Sequence, residues 1–273
     1  MTEISINGLK TRFYTAGQGR RHILFVHGWA SSGRMWLRSM WALRRDYRLW
    51  ALDLPGCGDS ANPDVSWHTI ENYTDHVESF CRALDIHPWA VIGHSMGGRI
   101  AFDLARRHPD RAERLVAVSP SVTGRLGFNL DLVLMGGLFG SAVSWSRKLW
   151  PLATAEAMSL YWAPRYLGTE AVNRTTRDLR RTSWEGAVGS LRALVGQDYS
   201  PYLAEIPHPT LLICGRRDFT VPPEDSQLAA RRLPKARLLM LDGVHHQATD
   251  EAPADFLRAV RDFLEVGGEH LPQ

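Results

Sequence analysis

The G-x-S-x-G sequence centred on Ser95 constrains the fold of this chain more than any other feature. It stands between an apolar, strand-like stretch (residues 89–92) and a helix-like stretch (residues 96–107). A serine on so tight a strand-to-helix turn has a strained backbone and an outward-pointing hydroxyl. Gly93 and Gly97 stand two residues before and after it, where side chains would collide with neighbouring backbone. The motif alone is short and often accidental, but with its flanking strand and helix it predicts Ser95 as a nucleophile.

Strand-like and helix-like segments alternate along most of the chain, and the Asn7-Gly8 pair predicts a turn between the first two strands. The predicted strands cover Glu3–Lys10, Thr11–Ala16, His22–Val26, Tyr47–Asp53, Trp89–Ile92, Arg114–Ser119, Pro209–Cys214 and Ala236–Leu241. The predicted helices cover Arg34–Arg45, Trp67–Leu84, Met96–Arg107, Pro223–Arg232 and Pro253–Val266. Because these strands are almost continuously apolar, they predict an α/β protein with a mostly parallel central sheet and helices on both faces.

The alternation stops near Val122 and resumes at Pro209. The sequence between these points is helix-like and rich in aromatic side chains. We therefore expect a core domain formed by residues 1–121 and 206–273. A helical cap, residues 122–205, is expected to be inserted between the sixth and seventh strands.

A serine hydroxyl needs a base, and the base needs an orienting acid. Functional groups collect after the carboxyl ends of parallel strands, so the base and the acid are expected there. Asp218 follows the penultimate strand and is the candidate acid, while His245 and His246 follow the last strand. Adjacent loop residues point in different directions, so only one of the two histidines is expected to be the base. The histidines beside the other motifs, His27 and His94, are expected to be hydrogen-bonded structural residues.

The third requirement is a pair of backbone N–H groups that stabilise the oxyanion of a tetrahedral intermediate. Met96 directly follows the nucleophile and supplies one candidate N–H. Trp29 supplies the other, because it follows Gly28 in the loop after the third strand, where a glycine permits close approach of the backbone. The Trp29 side chain is also a candidate pocket wall.

The composition excludes several classes of function. The formal net charge is +3 and the basic residues form no block, which argues against a nucleic-acid partner. Three widely spaced cysteines without a C-x-x-C motif argue against disulfides and zinc, and no metal or cofactor is expected. The N-terminus lacks a signal-peptide pattern, and the uncharged stretch 132–146 is too short to span a bilayer. We therefore expect a cytoplasmic protein; the oligomeric state stays open.

Five motifs, in this order, resemble the α/β-hydrolase fold family, in particular its cap-bearing serine esterase and lipase-like branch. They are His27-Gly28-Trp29, Asp53-Leu54-Pro55-Gly56-Cys57-Gly58-Asp59-Ser60, Gly93-His94-Ser95-Met96-Gly97-Gly98, Gly215-Arg216-Arg217-Asp218 with Val221-Pro222, and Gly243-Val244-His245-His246 followed by Glu251-Ala252-Pro253. The family pattern G-x-G-H before E-x-P implies that His246 is the catalytic histidine. His245 replaces the usual second glycine, so it is kept as the second candidate.

The resemblance implies a carboxylic ester hydrolase with a Ser95, Asp218 and His246 triad. The aromatic cap sequence predicts an apolar pocket, hence small-molecule esters of short to medium length. A serine rather than an aspartate nucleophile argues against dehalogenases and epoxide hydrolases. His94, where carbon–carbon bond hydrolases often have asparagine, is a modest argument against that class. Perhydrolases, lactonases, amidases and thioesterases stay open, as do a non-hydrolytic ligand-binding protein and, as a minor alternative, contact of the cap with a membrane surface.

Overall fold

The computed structural model describes residues 2–127 and 168–265, and these form one eight-stranded sheet. The strands are β1 (Thr2–Ile6), β2 (Leu9–Ala16), β3 (His22–Val26), β4 (Arg48–Leu52), β5 (Pro88–His94), β6 (Arg114–Val118), β7 (Thr210–Gly215) and β8 (Ala236–Leu241). Their order across the sheet is β1-β2-β4-β3-β5-β6-β7-β8. Strand β2 pairs antiparallel with β1 and with β4, and every other pairing is parallel, so the predicted fold class is confirmed.

Helices flank the sheet on both faces. The helices of the described ranges are α1 (Leu37–Leu43), α2 (Ile70–Ala83), α3 (Met96–Arg107), α4 (Thr169–Arg180), α5 (Trp184–Arg192), α6 (Pro223–Arg232), α7 (Ala248–Glu251) and α8 (Pro253–Glu265). Alternate residues of β3 belong to two separate cores. Leu24 packs into a core with α2 and α3, and Phe25 packs into a core with α1 and α8. Since both faces of the strands are covered, their sequences are apolar without alternation.

The start of the chain differs from the prediction in its strand boundary. The Asn7-Gly8 pair forms the turn with positive φ at both residues, 50° and 80°, so β2 begins at Leu9 rather than Thr11. The predicted long helix also starts later, at Ile70. Thr69 precedes it as the N-cap, and its side chain accepts a hydrogen bond from the third helical N–H. In both places a local hydrogen-bonding or turn preference sets the boundary.

Part of the predicted cap, residues 128–167, lies outside the described residues. Two helices of the described remainder, α4 and α5, stand between the sixth and seventh strands in chain order. In the described ranges no helix combines the length and apolar character that crossing a membrane requires.

We expect Gly97→Ala to destabilise the fold, because α3 packs directly on the end of β3 at this glycine. A Cβ atom there would lie 2.2 Å from the carbonyl oxygen of Val26 and 2.6 Å from that of His27. Both oxygens belong to the backbone, which cannot move aside as the end of a flexible side chain could. Overpacking of this kind costs about 2–3 kcal/mol, measurable by urea unfolding. Gly168→Ala is the control, since nothing lies within 4 Å of its Cβ position; equal losses in the two variants would contradict the steric account.

Candidate functional site

Ser95 has the strained backbone that the strand-to-helix turn predicts. Its φ and ψ are 53° and −115°, at the N-cap position of α3. Its N–H donates to the carbonyl of Val118 (2.8 Å), and its own carbonyl accepts from the N–H of Gly98 (3.0 Å). A Cβ on Gly93 would lie 2.2 Å from the carbonyl oxygen of Gly97. The turn therefore needs glycine at both predicted elbow positions.

Asp218 and His246 come together although 28 residues separate them in the chain. The His246 Nδ1–H donates to Asp218 Oδ2 at 2.7 Å, and both residues are buried. The other carboxylate oxygen accepts from the backbone N–H groups of Thr220 (2.9 Å) and Val221 (3.0 Å). Burial alone would raise the pKa of Asp218, but His246, the hydrogen bond from the Val221 N–H and the nearby Ser119 hydroxyl lower it below its usual value. An ionised Asp218 holds the proton of His246 on Nδ1, which leaves Nε2 as the basic nitrogen.

Ser95 and His246 line the same cavity, of about 50 Å³, at the carboxyl edge of the sheet. The described residues around it are Trp29, Ala30, Ser31, His94, Ser95, Arg174, Thr175, Leu179, His246 and Gln247. The three residues predicted as nucleophile, base and acid are thus gathered at one rim. A hydroxyl beside an imidazole that is held by a buried carboxylate is an arrangement suited to nucleophilic attack.

His245 points to a different partner. Its Nδ1–H donates to Glu251 Oε2 at 2.8 Å, and its backbone N–H donates to the same oxygen at 2.8 Å. The other oxygen of Glu251 accepts from the N–H of Gln247 at 2.9 Å. Glu251 therefore fixes the loop on both sides of His246. The adjacent histidines therefore have different hydrogen-bond partners: His245 donates to Glu251, and His246 donates to Asp218.

The two other motif histidines form structural hydrogen bonds. His27 Nδ1–H donates to the carbonyl of Gly28 (2.7 Å), and its Nε2 accepts from the N–H of Leu54 (2.9 Å), which joins the loops after β3 and β4. His94 Nε2–H donates to the carbonyl of His246 at 3.0 Å. Burial, with the nearby His246 ring, lowers the pKa of His94 to about 3, so His94 is neutral and steadies the His246 loop.

Trp29 and Met96, the candidate oxyanion donors, both lie next to the nucleophile. Trp29 lines the Ser95 cavity, and Met96 is the first residue of α3. Within the described ranges, neither backbone N–H takes part in the hydrogen bonds of turns and loops. Gly28 brings the first of these loops close: a Cβ there would lie 3.2 Å from Ser95 Cβ. Both N–H groups are thereby available to a bound oxygen.

Helices α4 and α5 lie over this rim and are tied to its loops. The Trp29 indole Nε1–H donates to the carbonyl of Ala187 on α5 at 2.9 Å. Arg174 on α4 forms a bidentate ion pair with Asp250 on α7, at 3.0 and 2.7 Å. Sequence reasoning missed both Arg174 and the loop-fixing Glu251. For Glu251 the E-x-P motif was an available signal; for Arg174 there was none, since its partner is 76 residues away.

The remaining carboxylates near the base are occupied elsewhere. Asp242 pairs with Arg216 at 2.6 Å, and Asp250 pairs with Arg174. Across residues 2–127 and 168–265, no three His, Cys, Asp or Glu side chains are grouped so that they could hold a metal ion.

A buried carboxyl on α4, Asp178, gives a test of how this helix is attached. Its Oδ1 accepts from Ser32 Oγ at 2.8 Å, and Oδ2 has no hydrogen bond with the described part of the chain. Burial raises the pKa of Asp178 from 3.8 to about 6. Folded protein therefore holds this proton to a higher pH than unfolded chain, and the group destabilises the fold increasingly as pH rises from about 4 to about 6.

We expect the difference in unfolding free energy between wild type and Asp178→Asn to change across that interval by up to about 3 kcal/mol. The wild type loses stability as its carboxyl ionises, whereas the amide has no charge to bury. Urea unfolding at pH 4 and pH 7 measures the change. A difference that is the same at both pH values would contradict the raised pKa.

The fold and this rim define an α/β protein with a serine, a histidine and an aspartate gathered at the carboxyl edge of a mainly parallel sheet. The family model for the alpha/beta hydrolase fold matches residues 21–253. The chain belongs to this family.

Named relatives span nearly the whole chain. A putative carbamate hydrolase, RutD, of Caulobacter sp. is 30% identical and covers 90% of this chain and 91% of its own. A 2-hydroxymuconate semialdehyde hydrolase of Pseudomonas sp. is 29% identical, and the match covers 96% of this chain and 93% of that protein. The crystal structure of a hydrolase from Pseudomonas aeruginosa superposes with a TM-score of 0.80 at 26% identity, covering 97% and 98%. The family and these relatives support hydrolysis as the general activity.

Proposed function

We propose that the protein is a serine hydrolase that cleaves carboxylic esters through an acyl-enzyme. The observation that carries the proposal is the buried Asp218–His246 pair on the same rim, and beside the same cavity, as the strained Ser95. Ion pairs between histidine and aspartate that have only a structural role are common. This one lies next to the hydroxyl of Ser95, which the backbone geometry of the strand-to-helix turn directs outward.

In the proposed mechanism, Ser95 Oγ attacks the ester carbonyl carbon while Nε2 of His246 takes the hydroxyl proton. Asp218 stabilises the imidazolium and keeps its orientation. The same Nε2–H then protonates the leaving alcohol as the carbon–oxygen bond breaks, which leaves the acyl group on Ser95. A water molecule, deprotonated by His246, attacks the acyl-enzyme, and Ser95 recovers its proton as the acid leaves.

The backbone N–H groups of Trp29 and Met96 are proposed to donate to the oxyanion of each tetrahedral intermediate. In comparable sites one such donor is worth about 3 kcal/mol of transition-state stabilisation. Their position at the N-terminus of α3 and beside Gly28 supports this role, since both places favour close approach of negative charge to backbone N–H groups.

The cavity supports a small substrate. Its described wall is mixed: Trp29, Ala30 and Leu179 give apolar surface, and Arg174 and Gln247 add polar groups. At about 50 Å³ the free space beside Ser95 suits a short acyl group. We propose esters with a short to medium, uncharged aliphatic or aromatic portion. The Arg174 charge is already matched by Asp250, so it does not call for an anionic substrate.

A carbamate is the second candidate substrate class, because the relatives named carbamate hydrolases match across the chain at up to 30% identity. The same serine, base and oxyanion donors would act on a carbamate carbonyl. Carbon–carbon bond hydrolysis is a further alternative, since the relatives include a 2-hydroxymuconate semialdehyde hydrolase. His94 beside the nucleophile, where carbon–carbon bond hydrolases often have asparagine, is a modest argument against carbon–carbon bond hydrolysis, whereas no described residue there separates an ester from a carbamate.

A substrate panel tests the proposal: p-nitrophenyl esters of increasing chain length, with a thioester, a lactone, an amide and a carbamate. We expect the highest kcat/KM for short uncharged esters. A carbamate preferred over every ester would favour the second candidate, and a preference for strongly charged esters would contradict the proposed pocket. Rapid labelling of Ser95 by a fluorophosphonate separates an enzyme from a ligand-binding protein, which would not label.

A further inference from the structure

A second cavity, of about 430 Å³, lies apart from the one beside Ser95, and the two share no described lining residue. Its wall is formed by residues 65–71, which include the first turn of α2, by one residue of α3, and by residues 189–197 at the end of α5. The residue from α3 is Arg99. The proposed hydrolytic mechanism uses nothing in this cavity.

Arg99 is a buried cation whose direct contacts in the described ranges are two backbone carbonyls and an aromatic ring. The residue is only 6% exposed. Its Nη1 donates to the carbonyls of Val122 (3.2 Å) and Gln197 (3.0 Å), and its guanidinium lies 4.2 Å from the ring centre of Tyr199. Within residues 2–127 and 168–265 it forms no ion pair, and Nη2 forms no hydrogen bond. Burial lowers the pKa of Arg99, although Tyr199 and the carboxylates of Asp103, Glu71 and Asp198 act in the opposite direction.

A purely structural role for Arg99 explains its hydrogen bonds to the two carbonyls but not its buried charge. Binding two carbonyls requires N–H donors, but it does not require a full positive charge inside the fold. Charged side chains are almost never buried unless they are paired. Unpaired guanidinium donors on a buried cation that forms no direct ion pair in the described ranges are features of a site for an anion.

The rest of the cavity wall adds positive potential. The first-turn N–H groups of Ile70 and Glu71 have no acceptor within the helix, and the positive end of the α2 dipole lies at the same place. Arg192 stands exposed at the rim, at the end of α5. The exposed Glu71 on the wall opposes these groups, and the carboxylates of Asp103 and Asp198 also lie close enough to act on Arg99. Of these three carboxylates Glu71 is the one on the cavity wall, which it shares with two guanidinium groups and a helix N-terminus.

We propose that this cavity binds the oxyanion group, carboxylate or phosphate, of a small molecule. Arg99 would supply the buried donor, α2 the backbone N–H groups, and Arg192 the charge at the rim. The site is independent of the proposed esterase chemistry, because no lining residue is shared with the cavity that holds the nucleophile.

Isothermal titration calorimetry on the full chain tests this with inorganic phosphate, benzoate and the uncharged benzamide. Two exposed residues without ion pairs in the described ranges give opposite expectations: Arg192→Ala should weaken anion binding roughly three- to tenfold, and Glu71→Gln should tighten it by a similar factor. Neither change disturbs the fold, unlike loss of Arg99. Arg38→Ala is the matched control, because this exposed arginine lines a different cleft; its affinity should equal that of wild type.

Weaker anion binding by Arg192→Ala and tighter anion binding by Glu71→Gln, with no heat of binding from benzamide, would support the proposed anion site. Tighter binding of phosphate would then identify a phosphate-bearing ligand, and tighter binding of benzoate a carboxylic acid. Wild-type affinity in both variants would overturn the proposal, and so would absence of anion binding at millimolar concentration. Protein labelled at Ser95 with a fluorophosphonate should bind anions as before; loss of binding on labelling would place the anion at the nucleophile and overturn the proposal too.

Discussion

The Ser95→Ala variant is expected to lose ester turnover by roughly 10⁵-fold or more, because removal of a serine nucleophile also makes its base useless. The residual rate would come from binding and oxyanion stabilisation alone. Folding should be unaffected: the strain at φ 53° belongs to the backbone, and alanine keeps the N–H that donates to Val118. Steady-state kinetics on the best ester of the panel, with thermal unfolding in parallel, measures both expectations.

Ser31→Ala is the matched control for this variant. Ser31 lines the same cavity, and among the described residues its hydroxyl donates only to the sulfur of Met35, at 3.6 Å. A hydroxyl removed from that position should change kcat/KM by less than about tenfold, the range of a single weak polar contact. Comparable losses in the two serine variants, or near-normal turnover by Ser95→Ala, would exclude Ser95 as the nucleophile.

Residues whose role depends on local backbone geometry were predictable from sequence. The turn at Ser95 needs Gly93 and Gly97 for steric reasons that the sequence itself displays, and the helix predicted after it has the observed bounds of α3. The same holds for β3, whose five apolar-rich residues are bounded by turn and glycine signals. For the turn at Ser95, α3 and β3, local residue preferences and the need for apolar strands in a sheet covered on both faces predict the same structure.

Contacts between distant parts of the chain were not predictable. Ser32 and Asp178 are 146 residues apart, and no periodicity or motif links them. Arg174 resembles any surface arginine of an amphipathic helix until α4 is placed over Asp250. Such pairs depend on how α4 packs against the loops and helices of the sheet domain. That packing is a property of the tertiary structure and not of the sequence around either partner. The sequence therefore indicated an insertion but not the side chains that attach it.

The two histidines after β8 show most clearly what could not be decided from the sequence alone. Spacing within a loop could not decide between His245 and His246, and only the family pattern favoured the second. The structure separates them by partner: a carboxylate held by two backbone N–H groups for His246, and the loop-fixing Glu251 for His245. The same imidazole group is thus placed in two roles by the acid it meets.

We expect His246→Ala to lose ester turnover by roughly 10⁴-fold or more and to label slowly with a fluorophosphonate, because Ser95 then has no base. His245→Ala should keep turnover within about tenfold, since Glu251 still accepts from the backbone N–H groups of residues 245 and 247. Its cost should be in stability, about 1 kcal/mol for the lost side-chain hydrogen bond. Both variants remove one imidazole from the same loop, so general damage to that loop would affect them alike. A larger loss in His245→Ala than in His246→Ala would reverse the assignment, and make the Asp218–His246 pair a structural contact.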